Sequence, residues 1–331
     1  MNIHTLPGRA RGAMLAAWVG AALMLPVASP VADEGGVSFW TPGQYASLAA
    51  VPAAPGWSLP VQAYYYSGSD SLSEPYTRGE TLTFGLESSS LTFSAQPTYS
   101  PVTRLLGGQV SVGLGFGYGE NTTDADLSIS SSGAEAGRSD SVWGLTDLYP
   151  VASLAWNRGV NNWMAYLTGD IPVGEYDSTQ LSSIGIGHAA IDAGGGYTYF
   201  NEHTGYEFSA VVGFTYNWEN PDTDYQNGID SHLDLAASRF LSSGWQIGVA
   251  GYLYYQLTGD SGAGAKLGAF ESKVAAIGPQ AGYSFTMGGL PLVANVRGYW
   301  EFWAENRLKG YSLFATLAIP LGAPQNTLVK K

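Results

Sequence analysis

The chain has 331 residues, of which 27 are acidic and 14 are basic, and its formal net charge is −13 at neutral pH. A protein this acidic has no electrostatic attraction to nucleic acid, so nucleic acid is not an expected partner. The complete absence of cysteine excludes disulfide bonds, zinc–thiolate sites and cysteine nucleophiles.

The amino terminus has the pattern of a secretory signal peptide, which we assign to residues 1–32. Arg9 and Arg11 precede an apolar stretch, residues 13–27, and small residues then lead up to Ala32. The apolar stretch is too short to span a bilayer comfortably as a helix. We therefore expect export of the protein and cleavage near Ala32.

The next segment, residues 33–56, lacks the alternation of a strand but carries aromatic side chains. Phe39 and Trp40 are followed by Gln44 and then by an Ala/Pro-rich run that leads to Trp57. Two interpretations remain open. The segment is either a plug that folds inside the domain that follows, with Phe39, Trp40 and Gln44 as plug residues, or a periplasmic tail.

From residue 57 onward, apolar and polar side chains alternate along many short segments. Between Tyr206 and Trp218 every second residue is apolar, which predicts a β-strand with one apolar and one polar face. The same pattern places twelve strands, at residues 57–67, 82–99, 108–118, 143–156, 162–172, 190–200, 205–219, 229–241, 244–258, 272–285, 290–303 and 310–320.

The predicted connections are alternately short and long. Short turns fall at residues 157–161, 201–204, 242–243 and 286–289, and long polar connections at 67–81, 119–142, 173–189, 220–228 and 259–271. This alternation is typical of periplasmic turns and extracellular loops in outer-membrane barrels. We expect residues 119–141, which are rich in Ser and Gly, to form a mobile extracellular loop.

These patterns predict an all-β fold: a transmembrane, antiparallel, up-and-down β-barrel of about twelve strands, with ten or fourteen as alternatives. Residues 57–331 would form this barrel and a short C-terminal tail. Aromatic residues stand near the strand ends, as expected of a girdle at each membrane interface; they are Trp163, Tyr206 and Trp245 at one end and Trp218, Tyr255 and Trp300 at the other. A soluble barrel with its apolar face inward is the alternative.

Several short Gly- and Pro-containing motifs occur in an order that resembles the bacterial family named for the meta-pathway of phenol degradation. They include Gly35-Gly36-Val37-Ser38-Phe39-Trp40, Asp147-Leu148-Tyr149-Pro150, Gly169-Asp170-Ile171-Pro172-Val173-Gly174, Tyr225-Gln226-Asn227-Gly228 and Ile277-Gly278-Pro279-Gln280. The resemblance spans nearly all of the chain after the signal peptide. It implies an exported outer-membrane barrel that handles hydrophobic aromatic compounds, and it brings no catalytic residues and no cofactor.

The polar faces of the later strands carry most of the candidate lumen-lining residues. They are Glu207, Asp230, His232, Asp234, Tyr252, Tyr254, Arg297, Tyr299 and Glu301, and Glu219, Arg239 and Glu305 are expected on the same faces. These charges either form a ligand-orienting constriction or fill a narrow interior with mutually paired side chains. Asp230, His232 and Asp234 share one face, but a single histidine between carboxylates is a weak zinc motif, so no metal site is assigned.

No nucleophile–histidine–acid constellation or Gly-x-Ser-x-Gly motif is recognisable, so we expect no enzyme activity and no catalytic residue. The leading hypothesis is a channel in the outer membrane for passive uptake of small hydrophobic, aromatic compounds. A general porin and a structural or adhesion barrel are the alternatives. The expected partners are outer-membrane lipid, the outer-membrane assembly machinery and a small hydrophobic ligand, and the sequence indicates no particular oligomeric state.

Overall fold

The computed structural model describes residues 39–75, 81–129, 134–265 and 269–321. The predicted signal peptide and the C-terminal tail from residue 322 onward lie outside these ranges. Within them, no helix is long and apolar enough to cross a membrane.

Fourteen β-strands are formed by the described residues. They are β1 (Gly56–Pro75), β2 (Thr81–Ala95), β3 (Thr98–Ser100), β4 (Gln109–Ile129), β5 (Ala134–Leu145), β6 (Tyr149–Arg158), β7 (Asn161–Asp170), β8 (Ala190–Phe200), β9 (Tyr206–Asn217), β10 (Asp230–Phe240), β11 (Trp245–Gln256), β12 (Lys273–Met287), β13 (Leu290–Glu305) and β14 (Lys309–Pro320).

The strands form one closed antiparallel barrel. The hydrogen-bonded order runs β1-β2-β4-β6 and then through β14 in sequence, and β14 pairs with β1 from Ser58↔Pro320 to Ser69↔Lys309. Among the described residues, closure gives each strand of the hydrogen-bonded ring a partner on both sides, as the bilayer requires because backbone groups find no water to bond there. The predicted twelve-stranded barrel is therefore confirmed for the described part of the chain, with β3 and β5 as two additional strands.

The two additional strands correct the predicted boundaries. Residues 82–99 are not one strand, because the run breaks at Gln96-Pro97 before β3 begins, and Pro97 has no N–H for a ladder. Residues 143–156 are also interrupted, between Leu145 and Tyr149. The first part of β4, Gln109–Gly115, pairs with β6, and the second part, Tyr118–Ile129, pairs with β5.

The prediction of a mobile loop over residues 119–141 is wrong for residues 119–129 and 134–141, which are strand, whereas residues 130–133 lie outside the described residues. Strands β4 and β5 continue as a hairpin, paired as far as Ile129↔Ala134. Strands β1 and β2 are likewise paired as far as Pro75↔Thr81, so residues 67–75 are strand as well. Composition alone misled the prediction, because a polar segment can remain β-structure when a neighbouring strand satisfies its backbone donors and acceptors.

The apolar face of the strands points outward. Along β9, Phe208, Val212 and Phe214 are 43–53% exposed, whereas Glu207, Ser209 and Val211 are buried. The soluble alternative requires the opposite orientation. The six predicted girdle residues all lie on the outward face with exposures of 40–64%: Trp163, Tyr206, Trp218, Trp245, Tyr255 and Trp300.

Three charged residues expected on the inward face are placed elsewhere. Arg239 is exposed, and its Nη1 donates to Tyr206 Oη at 3.2 Å on the outward face. Glu219 lies beyond the end of β9 and is exposed. Glu305 is exposed because the register shifts where Ala275↔Trp303 is followed by Ala276↔Glu301, and this bulge reverses the alternation after Glu301.

Candidate functional site

Residues 39–55 thread the interior of the barrel. The end that carries the short β6–β7, β8–β9, β10–β11 and β12–β13 connections is called the turn end below, and the opposite end the loop end. Phe39 stacks on Tyr149, at the loop end of β6, with ring centroids 6.4 Å apart. Ala50 donates its N–H to Thr198 Oγ1, near the turn end of β8, at 3.0 Å. The chain then enters β1 at Gly56. The whole lumen is thus traversed, and Phe39, Trp40 and Gln44 are all at least 96% buried.

The turn at Gly43 is held by two opposite charges. Asp234 accepts the N–H groups of Gly43 and Tyr45 at 2.9 and 3.1 Å. Arg297 donates from Nε to Gly43 O at 3.2 Å and from Nη2 to Gln44 O at 2.9 Å. The carboxylate therefore binds the donor side of these peptide groups and the guanidinium binds the acceptor side. Both charges satisfy backbone groups that would otherwise be buried without partners.

Two tyrosines close on the same turn. Tyr299 donates its hydroxyl to Gly43 O at 3.0 Å, and its ring lies 5.0 Å from that of Tyr252. Gly43 has φ +82°, and a Cβ there would lie 2.8 Å from atoms of both rings. Only glycine fits this position, because the backbone is left-handed and the two rings occupy the space of a side chain.

The lower part of the segment is held by polar side chains of the wall. Leu48 donates its N–H to Glu207 Oε1 at 3.0 Å, and Ser209 donates a hydrogen bond to the same oxygen. The hydroxyl of Ser47 lies 2.8 Å from that of Ser238 and accepts from Gln280 Nε2 at 2.9 Å. All of these contacts join the segment to wall side chains. The segment therefore lies inside the barrel without extending its strand ladder.

An aromatic layer surrounds Trp40. Its indole stacks on the imidazole of His232, with centroids 3.6 Å apart and planes at 14°. Tyr45 lies 5.5 Å from the same indole and Tyr166 lies 6.0 Å from it. Trp40 thus fills the lumen between the segment and strands β7 and β10.

Asp192 anchors the polar side of this layer. It accepts the hydroxyl of Tyr166 at 2.6 Å and that of Thr215 at 2.7 Å. His232 Nε2 lies 3.3 Å from the Asp192 carboxylate and 3.0 Å from Tyr166 Oη. This geometry assigns a proton to His232 Nε2, since the carboxylate accepts it.

The three acidic and histidine side chains that share a face of β10 serve three different partners. Asp230 accepts from Asn217 Nδ2 at 2.8 Å, His232 pairs with Asp192, and Asp234 binds the turn at Gly43. Across the described residues, no group of three or more His, Asp or Glu side chains is arranged to hold a metal ion. The face therefore anchors neighbouring elements individually.

A second polar cluster lies at the loop end, around Glu301. Its carboxylate accepts the hydroxyls of Tyr252 at 2.8 Å and Tyr66 at 3.2 Å, and the N–H of Gly310 at 2.6 Å. Tyr254, also at least 96% buried, lies beneath the guanidinium of Arg307, with Arg307 Cζ 5.3 Å from the ring centroid.

A folded connection narrows the loop end. Asp147, between β5 and β6, accepts the N–H groups of Val173, Gly174 and Ile186 at 2.7–2.9 Å. Burial raises the pKa of Asp147, although these three hydrogen bonds oppose the rise. The connection formed by residues 171–189 consequently turns inward, with Ile184, Ile186 and His188 buried. We call it the inward loop.

All nine predicted lumen-lining residues are buried on the inward face, and the three predicted plug residues lie among them. Sequence reasoning did not single out Tyr166, Asp147 or Arg307. Tyr166 had a usable signal, since it alternates with the outward Trp163, Ala165 and Leu167 of β7. Asp147 and Arg307 lie in connections, where no period indicates which way a side chain points.

Comparison with protein families places this geometry in a known group. A family model described as "Putative MetA-pathway of phenol degradation" matches residues 79–317. The matched range contains every barrel strand from β2 to β13 and most of β14. No curated protein matches the chain.

Solved structures share the fold. The COG4313 outer membrane channel from Pseudomonas putida F1 is 15% identical, with 80% of this chain and 95% of that chain covered and a TM-score of 0.57. A FadL homologue from Pseudomonas aeruginosa is 10% identical, with coverages of 83% and 92% and a TM-score of 0.42. The first likeness confirms the fold of an outer-membrane barrel.

Proposed function

Because the chain belongs to the family described by the MetA-pathway of phenol degradation, we propose that it is a passive outer-membrane channel for small hydrophobic, aromatic compounds. The observation that carries the proposal is the aromatic interior. Trp40 and Tyr45 of the threading segment meet Tyr166 and His232 of the wall within 6.5 Å, centroid to centroid. A planar apolar solute can exchange such ring contacts for its own.

The threading segment acts as the gate in this proposal. It fills the lumen, so a steadily open general porin is not favoured. Its contacts with the wall are side-chain hydrogen bonds and ring contacts that can be broken separately. Each neutral contact contributes about 1 kcal/mol, and each hydrogen bond to a charged group roughly 1.5–3 kcal/mol. Displacement of residues 39–51 opens a path without breaking the barrel ladder.

The direction of transport follows from the barrel orientation. Short turns face the periplasm in outer-membrane barrels, so the loop end faces the outside. A solute enters beside the inward loop, passes Trp40 and leaves at the turn end. There, a cavity of about 180 Å³ is lined by Val51, Pro52, Asn162 and Phe200, among others. The concentration gradient drives the passage.

The test is single-channel conductance of the refolded full-length protein in planar bilayers, with and without phenol. We expect a closed state that phenol converts to a conducting state, and an F39A/W40A double variant that conducts without phenol. The matched control is W245A, which removes an outward tryptophan and should behave like the native protein. Steady conductance that phenol does not alter, or a double variant that stays closed and still responds to phenol, contradicts the proposal.

A further inference from the structure

Arg307 is a buried cation with two donor atoms, Nε and Nη1, that no described residue engages. It lies in the connection between β13 and β14 at the loop end and is only 8% exposed. Its Nε and Nη1 atoms have no hydrogen-bond partner among the described residues. A buried guanidinium normally engages its planar set of N–H groups, since leaving a charged donor unsatisfied is costly.

The nearest carboxylate does not fill these donors. Glu301 already accepts hydrogen bonds from Tyr252, Tyr66 and Gly310. No ion pair between Glu301 and Arg307 forms within 4.0 Å in the described part of the chain. Glu301 therefore balances the charge of Arg307 at longer range, and the guanidinium fork itself stays available.

The guanidinium also remains charged. Burial opposes its positive charge, but Glu301 together with Tyr66, Tyr254 and Tyr252 outweighs that effect and raises the pKa of Arg307 above its ordinary value. A charged guanidinium in a desolvated site is suited to a planar anion such as a carboxylate, which binds through two parallel hydrogen bonds to Nη2 together with either Nε or Nη1.

Aromatic rings surround the same group. Arg307 Cζ lies 5.3 Å from the Tyr254 ring centroid, and Tyr66, Tyr252 and Tyr254 are all at least 96% buried beside it. A carboxylate bound by Arg307 would place its substituent among these tyrosines, where an aromatic ring packs well. The adjacent Tyr252 leads on to Tyr299 and to the turn at Gly43.

We propose that Arg307 and the tyrosines Tyr66, Tyr252 and Tyr254 form a recognition site for aromatic carboxylates at the external mouth of the barrel. This inference rests on the proposed function and names a substrate class for it: the site selects the anionic form of a small aromatic compound before the compound reaches the threading segment.

The experiment measures binding of benzoate and of benzamide, its neutral isostere, to the refolded full-length protein by ligand-observed NMR. In the native protein, benzoate should bind at least about tenfold more tightly than benzamide, because a charge-assisted pair contributes roughly 1.5–3 kcal/mol. R307Q should abolish this preference, and R307K should retain only part of it, because an ammonium lacks the planar fork.

The matched control is R239Q. Arg239 also lies over a tyrosine, with its Cζ 4.8 Å from the Tyr206 ring centroid, but on the outward face. Its replacement should leave both ligands unaffected. Equal binding of benzoate and benzamide to the native protein overturns the site, whether or not R307Q folds. Loss of both ligands to the same degree in R307Q also overturns it, because Arg307 would then be structural.

The outcomes separate this site from the proposed function. Benzoate selectivity without phenol-dependent conductance contradicts the channel proposal and supports the recognition site at Arg307. Phenol-dependent conductance without benzoate selectivity contradicts the recognition site at Arg307 and supports the channel proposal.

Discussion

The indole of Trp40 and the imidazole of His232 are stacked with centroids 3.6 Å apart and an interplanar angle of 14°. Trp40 belongs to the threading segment and His232 to the barrel wall, so this pair joins the segment to the wall. His232 is in turn oriented by Asp192, 3.3 Å away. The ring pair is thus the aromatic counterpart of the polar contacts that Asp234 and Arg297 make with the turn at Gly43.

This stacking predicts an energetic coupling between the two rings. In a double-mutant cycle of W40A and H232A, we expect a coupling of about 0.5–1.5 kcal/mol, the range for aromatic pairs beyond their buried area. The measurement is hydrogen exchange of the Tyr45 amide, which reports docking of the segment because it donates to Asp234. The outward stacked pair Tyr118 and Trp143 is the control, and its cycle should leave that amide unchanged. Strictly additive effects of W40A and H232A would show that the stacking does not hold the segment.

Gly43 predicts a steric requirement that can be separated from backbone strain. G43A should speed hydrogen exchange of the Tyr45 and Leu48 amides, because its Cβ would meet the rings of Tyr252 and Tyr299 at 2.8 Å. The left-handed backbone adds a penalty of more than about 1 kcal/mol for alanine.

The matched control for this substitution is G107A. Gly107 has φ +76°, close to that of Gly43, but no atom lies within 4 Å of its ideal Cβ. G107A should introduce backbone strain, but it should not release the threading segment. Equal exchange rates in native protein and G43A would mean that the two tyrosines move aside easily and do not clamp the turn.

His188 predicts that docking of the inward loop depends on pH. Burial lowers the pKa of His188 below its ordinary value of 6.5, and its hydrogen bond to Ala189 O opposes this only in part. The undocked loop therefore binds a proton more readily than the docked one. The contribution of His188 to docking of the inward loop is fully present above pH 6.5, and it is lost as the pH falls towards the lowered pKa of His188.

The measurement is hydrogen exchange of the Ile186 amide, which donates to Asp147 at 2.9 Å, at pH 7.5 and at mildly acid pH, after correction for intrinsic rates. H188Q should remove the dependence in this window, and H203Q, in the exposed turn between β8 and β9, should not. Asp147 acts in the opposite direction, because its pKa is raised from 3.8 and the docked loop therefore binds a proton more readily than the undocked one. The effect of Asp147 occurs at a lower pH than that of His188. An unchanged pH dependence in H188Q would assign the effect to another group.

The outward apolar face predicts that a charged substitution lowers the free energy of unfolding by an amount that depends on how deep the residue lies in the bilayer. Val249, on the outward face of β11, is 51% exposed. V249R should lower the free energy of unfolding in lipid vesicles by up to about 2–4 kcal/mol, the range for arginine near the bilayer midplane. V102R, in the connection after β3, is the control and should have almost no effect, because Val102 lies at the turn end and is 63% exposed. Similar values for both variants would place the bilayer at a different height on the barrel.

The barrel strands, most of their ends and the positions of the short turns could be predicted because a period of two records which side of a sheet each residue occupies. Glu207, Asp234 and Arg297 were assigned to the inward face for this reason. The prediction failed at Glu305, where a bulge opposite Ala275 reverses the alternation. It also failed at residues 119–129 and 134–141, where pairing between β4 and β5 outweighs a composition typical of loops.

The sequence by itself determined that this protein is an outer-membrane β-barrel, because alternation, strand length and turn spacing are local properties that neighbouring residues record. Only the tertiary structure decided what each inward charge does. Asp234 and Arg297, on strands β10 and β13, meet at the turn around Gly43, more than 180 residues away from either along the chain. That meeting depends on barrel closure and on how the threading segment lies within the lumen. The same holds for Arg307, whose unused donors become visible only when every neighbouring partner is in place.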